Sequence, residues 1–203
     1  MQAAIHRWHG LVVGGIVITL RTALGLGLVA LVADTPASSS SFAGVPGAKV
    51  QYYDVSGQTA AEIRASLDRH RRTDPNTGMK VDAWTAWRLR WDVPGSLEGK
   101  CQPDKAVVTL EVTVGLPRLA NSETVPPAVL QLWQRYIAAV TAHEANHVRI
   151  ANAGRKAVLH AIHESDCAAG PQAAEDAMAA MDRRNDDYDW VTHNGWTEGA
   201  HFP

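Results

Sequence analysis

Hydrophobic and polar residues alternate along two segments in the middle of the chain. Apolar side chains occupy the odd positions of residues 81–93, except for Thr85, and the even positions of residues 107–116. A period of two is typical of a strand with one buried face and one face in water. Both segments are therefore predicted to be strands. A shorter strand is predicted at residues 50–55, and Pro117 is expected to end the last of the three strands.

Two shorter helices are also predicted, one between the first and second strands and one near the C-terminus of the sequence. Thr59 and Glu62 have the spacing of a capping box, which predicts a helix that starts after Thr59 and runs to about Arg71. A C-terminal helix is predicted over residues 172–184. Residues 186–203 contain several aromatic side chains but show neither helical nor strand periodicity, so we expect a structured loop there.

A long helix is predicted after Pro126 and Pro127, which suit the first turn of a helix. Its apolar stripe consists of Val129, Trp133, Tyr136, Ile137 and Val140. His143 and His147 continue this stripe, so both imidazoles are expected to face inward on a helix that runs toward Gly154 or as far as residue 163. Together the elements predict an α+β fold with a small antiparallel sheet packed on the long helix.

The first 37 residues differ in composition from the rest of the chain. Residues 22–33 form an unbroken apolar run, and Arg7 and Arg21 are the only formal charges before Asp34. Such a run suits the core of a cleaved signal peptide. The alternative is a membrane anchor over residues 11–33, which would place Arg21 near the bilayer centre at a cost of about 3 kcal/mol.

Either interpretation predicts export to the periplasm or cell envelope, in the second case with an inner-membrane anchor. Residues 1–37 are then a signal peptide or anchor, residues 38–49 a flexible linker, and residues 50–203 a single folded domain. In an exported domain, Cys101 and Cys167 predict one disulfide. The formal charge of −2 gives no electrostatic reason to expect nucleic acid as a partner.

Residues 143–147 read His-Glu-Ala-Asn-His, the spacing at which a helix presents two imidazoles to one zinc ion. Positions four apart lie on one helical face, so His143 and His147 can both bind the metal. Glu144 is then expected to act as the general base toward a water molecule that zinc activates. This motif makes zinc-dependent hydrolysis of a protein or peptide substrate the leading hypothesis.

Catalytic zinc needs a third protein ligand, and three residues compete for this role. His193 in the aromatic tail is the preferred third ligand, and Asp189 is the next candidate. Glu164 lies 17 residues after His147, which is about 25 Å on an uninterrupted helix, so it can bind only if the helix breaks. Tyr188 is a candidate donor to the oxyanion of the reaction, with a packed core tyrosine as the alternative.

A series of short motifs runs through the domain: Tyr52-Tyr53-Asp54-Val55-Ser56-Gly57, Trp84-Thr85-x-Trp87-x-x-x-Trp91, the Cys101 region, Leu116-Pro117, Trp133, His143-Glu144-x-x-His147 and Tyr188-Asp189-x-x-Thr192. In these motifs the chain resembles a bacterial family, domain of unknown function 922, whose members are described as predicted secreted zinc-dependent proteases. The resemblance implies an exported, zincin-like zinc-peptidase domain without indicating a substrate. The tail departs from the family pattern, since Asn194 and Glu198 stand where the family has His and Gln.

Two other functions use the same residues. A fourth protein ligand, such as Asp189, would close the metal site and make the protein a zinc-stabilised module for binding or assembly in the cell envelope. The hydrolytic machinery would also suit an amidase acting on a non-protein substrate. An open ligand position with Glu144 facing it would favour an enzyme over a structural zinc site.

Overall fold

The computed structural model describes the backbone of residues 2–7 and, with side chains, residues 42, 48–74, 78–95 and 101–203. Its strands are β1 (Gln2–Arg7), β2 (Ala48–Val55), β3 (Arg72–Thr73), β4 (Lys80–Asp92) and β5 (Val107–Leu119). Its α-helices are α1 (Ala60–His70), α2 (Pro127–His163) and α3 (Gly170–Thr192). Short 3₁₀ helices lie at Pro103–Lys105, Ser122–Thr124 and Trp196–Glu198.

The predicted export segment falls largely outside this description. Its apolar run at residues 22–33 and most of the linker at residues 38–49 are outside the described residues. Within the described part of the chain, no helix has the length and apolar character needed to cross a bilayer.

The strands form one mixed sheet with the order β1-β4-β5-β2, and β3 also pairs with β4. β5 is antiparallel to β4 but parallel to β2, and β1 is parallel to β4. The α+β fold is confirmed, whereas the prediction of an antiparallel sheet is wrong for β2. Alternation within a strand predicts which face each side chain takes, but it does not specify the direction of the neighbouring strand.

The alternation itself is confirmed in both long strands. In β4 the buried odd positions are Val81, Ala83, Thr85, Trp87 and Leu89. In β5 the buried even positions are Val108, Leu110, Val112, Val114 and Leu116. These side chains form one apolar face, against which α2 packs. The capping box at the start of α1 is also present, with reciprocal hydrogen bonds between Thr59 and Glu62.

Pro117 does not end β5, which continues to Leu119. The ladder between β5 and β4 stops at Gly115, so Pro117 lies where β5 is paired only with β2 in that sheet. A proline nitrogen has no hydrogen to donate, and it is tolerated in a strand where one edge lacks a ladder partner. The prediction that Pro117 terminates the strand is therefore wrong.

The two long helices differ from the predictions only at their ends. α2 is a single uninterrupted helix of 37 residues, which is the longer of the two predicted extents. α3 reaches Thr192, so residues 186–192 are helical and the prediction of a loop there is wrong. The inward positions of this last part of α3 are polar, as at Asn185 and Thr192, while Trp190 is 82% exposed. Because polar side chains lie inward and an aromatic side chain lies outward, the apolar residues of this segment do not recur at the helical period.

Cys101 and Cys167 form a disulfide, as predicted. Cys167 lies in the turn between α2 and α3, and Cys101 lies shortly before β5. The bond therefore links the sheet region to the connection between the two long helices. The short α2–α3 turn lets α3 return along α2, and this pair of helices carries the candidate site.

Candidate metal centre

The three motif residues of α2 are buried beneath the sheet. His143 is 1% exposed, and Glu144 and His147 are each 0% exposed. The two imidazoles are four residues apart, so they lie on the same side of α2, with ring centroids 4.8 Å apart. The sequence prediction that both histidines face inward is confirmed.

Asp189 of α3 meets both histidines. Its Oδ1 atom lies 3.1 Å from Nε2 of His143 and 3.1 Å from Nε2 of His147. The two Nε2 atoms are themselves 3.1 Å apart. Three potential ligand atoms thus converge on one point, and His143, His147 and Asp189 could hold a metal ion.

A second layer of polar groups fixes the orientation of each imidazole. Nδ1 of His143 lies 2.8 Å from Oε2 of Glu198, and Nδ1 of His147 lies 2.9 Å from Oδ1 of Asn185. The Asn185 amide donates from Nδ2 to the carbonyl oxygen of Met181, so its oxygen is the group that faces His147. Both acceptors require a proton on Nδ1, which leaves Nε2 of each neutral ring with a lone pair.

The arrangement therefore brings two imidazole lone pairs and a carboxylate oxygen together without a hydrogen between them. Three acceptor atoms at this separation require a positive charge, which either a bound metal ion or an additional proton supplies. Where an additional proton supplies this charge, burial would still raise the pKa of Asp189, but the hydrogen bonds and charges of the protonated histidines hold it below its ordinary value. The donor set of two histidines and one carboxylate suits Zn²⁺.

Glu144 lies in the same buried region, with one oxygen bound and one oxygen without a partner. Thr85 of β4 donates a hydrogen bond of 2.6 Å to Oε2. Oε1 has no hydrogen-bond partner among the described residues. Burial raises the pKa of Glu144 from 4.5 to about 7, although Thr85 and His147 act in the opposite direction. A buried carboxylate oxygen without a partner is a group that can accept a proton from a ligand.

Tyr188 lies beside the ligand atoms, as the sequence suggested, but its hydroxyl is already engaged. The ring stacks on His143 with centroids 4.9 Å apart. The hydroxyl accepts a hydrogen bond of 2.6 Å from Asn146 and lies 2.9 Å from both carboxylate oxygens of Glu198. Burial raises the pKa of Tyr188, so the phenol keeps its proton and can donate it.

His193 and Glu164, the other two candidates for the third metal ligand, do not belong to the group formed by His143, His147 and Asp189. His193 follows the last residue of α3 in a left-handed conformation with φ of 50°, and it is exposed. Glu164 follows the uninterrupted α2 helix, about 25 Å from His147 by helical rise, and its carboxylate lies 3.9 Å from exposed His160. The preference for His193 followed from the predicted loop, whereas the helix that is present carries Asp189 inward instead.

Three residues of the site were not predicted: Thr85, Asn185 and Glu198. Thr85 is a polar side chain at an inward position of β4, which is a signal that the sequence contains. Asn185 precedes Asp189 by four residues, but this spacing carries meaning only if α3 is known to extend that far. Glu198 lies in a segment without periodicity, so the sequence marks it only as a departure from the family pattern and does not predict its contact with His143.

A comparison with known protein families gave a match over most of the folded domain. The family model described as "Bacterial protein of unknown function (DUF922)" matches residues 50–195, which include β4, the helical motif and Asp189. No curated protein and no solved structure gave a match. The matched region exceeds half of the chain, so this protein belongs to the DUF922 family of bacterial proteins.

Proposed function

We propose that this protein is an exported zinc-dependent peptidase whose metal is held by His143, His147 and Asp189. The observation that carries the proposal is the convergence of the two Nε2 atoms and Asp189 Oδ1, each 3.1 Å from the other two. Three protein ligands leave a fourth tetrahedral position for water or substrate, which is the pattern of catalytic rather than structural zinc.

A zinc ion at this position would supply Lewis acidity toward a water molecule and toward the carbonyl group of a substrate. The protein's own contribution begins with Glu144, which we assign as the general base. Thr85 holds one oxygen of Glu144 in place, while the other oxygen has no partner among the described residues and can take the proton. Glu144 takes this proton from the attacking water as the water oxygen bonds to the carbonyl carbon, and it returns the proton to the leaving amine as the carbon–nitrogen bond breaks.

We assign Tyr188 as the donor to the oxyanion that develops on the carbonyl. Its ring lies against His143, so its hydroxyl is close to the ligand atoms, but this hydroxyl now faces Glu198. Donation to a substrate would require the hydrogen bond with Glu198 to be exchanged for one with the substrate. Such a donor acts only when charge develops on the oxygen, and it therefore lowers the barrier of the reaction.

Two observations support this function against a zinc-stabilised binding module. A structural zinc site has four protein ligands, and in the described part of the chain the group consists of three. Glu144 is also costly as a purely structural residue, because a buried carboxylate with one unpaired oxygen destabilises a fold. The disulfide supports the proposed location outside the cytoplasm, since disulfides persist in oxidising compartments.

The decisive assay compares wild-type protein with Glu144→Gln after both have been loaded with zinc. We expect both proteins to bind one zinc ion and only the wild type to cleave a mixed-sequence peptide library, measured by mass spectrometry of new amino termini. Hydrolysis of non-peptide amides without peptide cleavage would favour the amidase alternative. Equal turnover by Glu144→Gln would show that Glu144 is not the base.

A further inference from the structure

The last nine residues turn back from α3 and cover one ligand of the proposed metal site. We call residues 195–203 the C-terminal strap. The turn consists of His193, Asn194 and Gly195 in succession, with φ of 50°, 54° and 79°. Three consecutive left-handed residues reverse the chain sharply, and only the glycine adopts this conformation without steric cost.

The first residue of the strap lies directly on the imidazole of His143. A Cβ atom at Gly195 would lie 3.1 Å from Cγ and from Nδ1 of His143, and 2.8 Å from Cβ of Ala200. The absence of a side chain at Gly195 therefore lets the backbone approach the metal ligand closely. This approach determines where the following residues of the strap can lie.

The far end of the strap is anchored in the core. Phe202 is 2% exposed, and its ring lies 5.8 Å from that of Trp133 and 5.4 Å from that of Tyr136. Both partners belong to α2, two to three turns before His143. The strap is thus held at Gly195 by the site and at Phe202 by the helix that carries the site.

Glu198 lies between these two anchors and contacts His143. Its Oε2 atom accepts the Nδ1 hydrogen at 2.8 Å, and the Tyr188 hydroxyl lies 2.9 Å from both of its oxygens. The Glu198 backbone N–H also donates to the carbonyl oxygen of Gly195. The carboxylate is therefore oriented by two partners and its backbone by a third contact, although the side chain is 34% exposed.

We infer that Glu198 is a positioning residue for the metal ligand His143, and that the strap is the element that holds it there. A carboxylate that accepts from Nδ1 fixes the ring orientation, keeps the Nε2 lone pair toward the metal and makes that nitrogen more basic. Nδ1 of His147 faces the neutral Asn185 amide, so of the two Nδ1 atoms that of His143 has the charged acceptor. This inference depends on the metal site proposed above.

The inference predicts weaker zinc binding when Glu198 is replaced, or when Phe202, which holds the end of the strap in the core, is replaced. We expect Glu198→Gln to raise the zinc Kd about 10-fold and Glu198→Ala about 100-fold, the range found for removal of groups that orient metal ligands. Phe202→Ala should act in the same direction with Glu198 still present, and Phe202→Leu should largely restore the affinity. Glu175→Gln is the matched control, because Glu175 is exposed on α3 about 20 Å along the helix from Asp189.

The experiment measures zinc Kd by chelator competition and the thermal unfolding of the metal-free proteins. A positioning role predicts that Glu198→Gln unfolds like the wild type without metal while binding zinc more weakly. It also predicts that Phe202→Ala adds no further loss of affinity in a Glu198→Ala background. A zinc Kd for Glu198→Ala within about twofold of the wild type would overturn the inference and leave the metal site intact. Failure of the wild type to bind zinc would instead overturn the site itself.

Discussion

The Met181 side chain of α3 packs directly onto the backbone of Gly154 in α2. A Cβ atom at Gly154 would lie 2.3 Å from Sδ and 2.7 Å from Cβ of Met181. Gly154 follows His147 by two turns, and Met181 precedes Asp189 by about two turns. The contact therefore sets the separation of the two helices that carry the proposed metal ligands.

We predict that Gly154→Ala destabilises the protein and weakens zinc binding. Alanine would favour the helix by about 1 kcal/mol, but overpacking in a tight contact costs about 1 to 3 kcal/mol, so the net effect should be a loss. Urea unfolding and zinc titration measure the two effects. Gly170→Ala is the matched control, since a Cβ there meets its nearest atom at an ordinary 3.9 Å. Unchanged zinc affinity in Gly154→Ala would contradict this role of the contact.

Tyr188→Phe should separate catalysis from metal binding. Loss of the hydroxyl removes the proposed oxyanion donor, so kcat at saturating zinc should fall about 100-fold. The phenyl ring can still stack on His143, and Glu198 keeps its own bond to Nδ1, so zinc Kd should change less than tenfold. Steady-state kinetics with a cleaved peptide provide the measurement. An unchanged kcat would exclude Tyr188 from the reaction.

A buried charge network stabilises the fold away from the metal site. Asp82 of β4 is 4% exposed and accepts hydrogen bonds of 2.8 to 2.9 Å from Arg64 and Arg71 and one of 2.9 Å from the Tyr136 hydroxyl. Burial would raise the pKa of Asp82, but these partners hold it below its ordinary value. The network connects α1, α2 and the sheet through one carboxylate.

We predict that Asp82→Asn lowers the free energy of unfolding at pH 7 by about 3 kcal/mol, because it removes the buried counter-charge of two partly buried arginines, whose other carboxylate partner, Asp68, is half exposed. The folded-state pKa lies below the unfolded value, so this stabilisation is complete above about pH 4 and is lost as the pH falls through the folded-state pKa. The variant should therefore lose less stability than the wild type on acidification. Asp54→Asn, in an exposed pair with Arg118, is the control and should change stability little. Parallel acid profiles for wild type and Asp82→Asn would contradict the prediction.

Replacing both cysteines should affect stability more than the metal site. The bond between Cys101 and Cys167 closes a loop of 66 residues, and its loss should cost about 2 to 4 kcal/mol of unfolding free energy. Neither residue belongs to the group of ligand atoms, so the Cys101→Ser/Cys167→Ser protein should bind zinc within tenfold of the wild type. Loss of stoichiometric zinc binding in the folded variant would show that the disulfide positions α3 relative to α2.

Most strands and helices of this fold can be predicted from the sequence, because their buried residues recur at the period of a strand or of a helix. The period of two in β4 and β5 predicts the buried face, and the stripe that ends in His143 and His147 predicts the inward face of α2. Strand direction is not encoded in that period, so the parallel pairing of β2 with β5 could not be derived.

Asp189 is only the second candidate for the third ligand in the sequence because the polar residues of the proposed site alter the pattern of α3. Helix prediction relies on apolar residues at the inward positions. Here Asn185 and Asp189 occupy those positions and contact the two histidines. Trp190 and Val191, at 82% and 66% exposure, lie outward. The sequence of such a helix lacks the apolar periodicity on which helix prediction depends. Residues 186–203 are therefore predicted to be a loop, and His193 becomes the preferred third ligand. Only the helical register brings Asp189 onto the two imidazoles.

Zinc binding by wild type, Asp189→Ala and His193→Ala tests the metal centre most directly. Metal analysis of the purified wild-type protein should give one zinc ion per chain, and Asp189→Ala should lose stoichiometric binding, since it removes one of the three atoms that converge at 3.1 Å. His193→Ala should bind zinc like the wild type, because its side chain lies outside the group. Absence of zinc uptake by the wild type, or full retention of zinc by Asp189→Ala, would contradict the account.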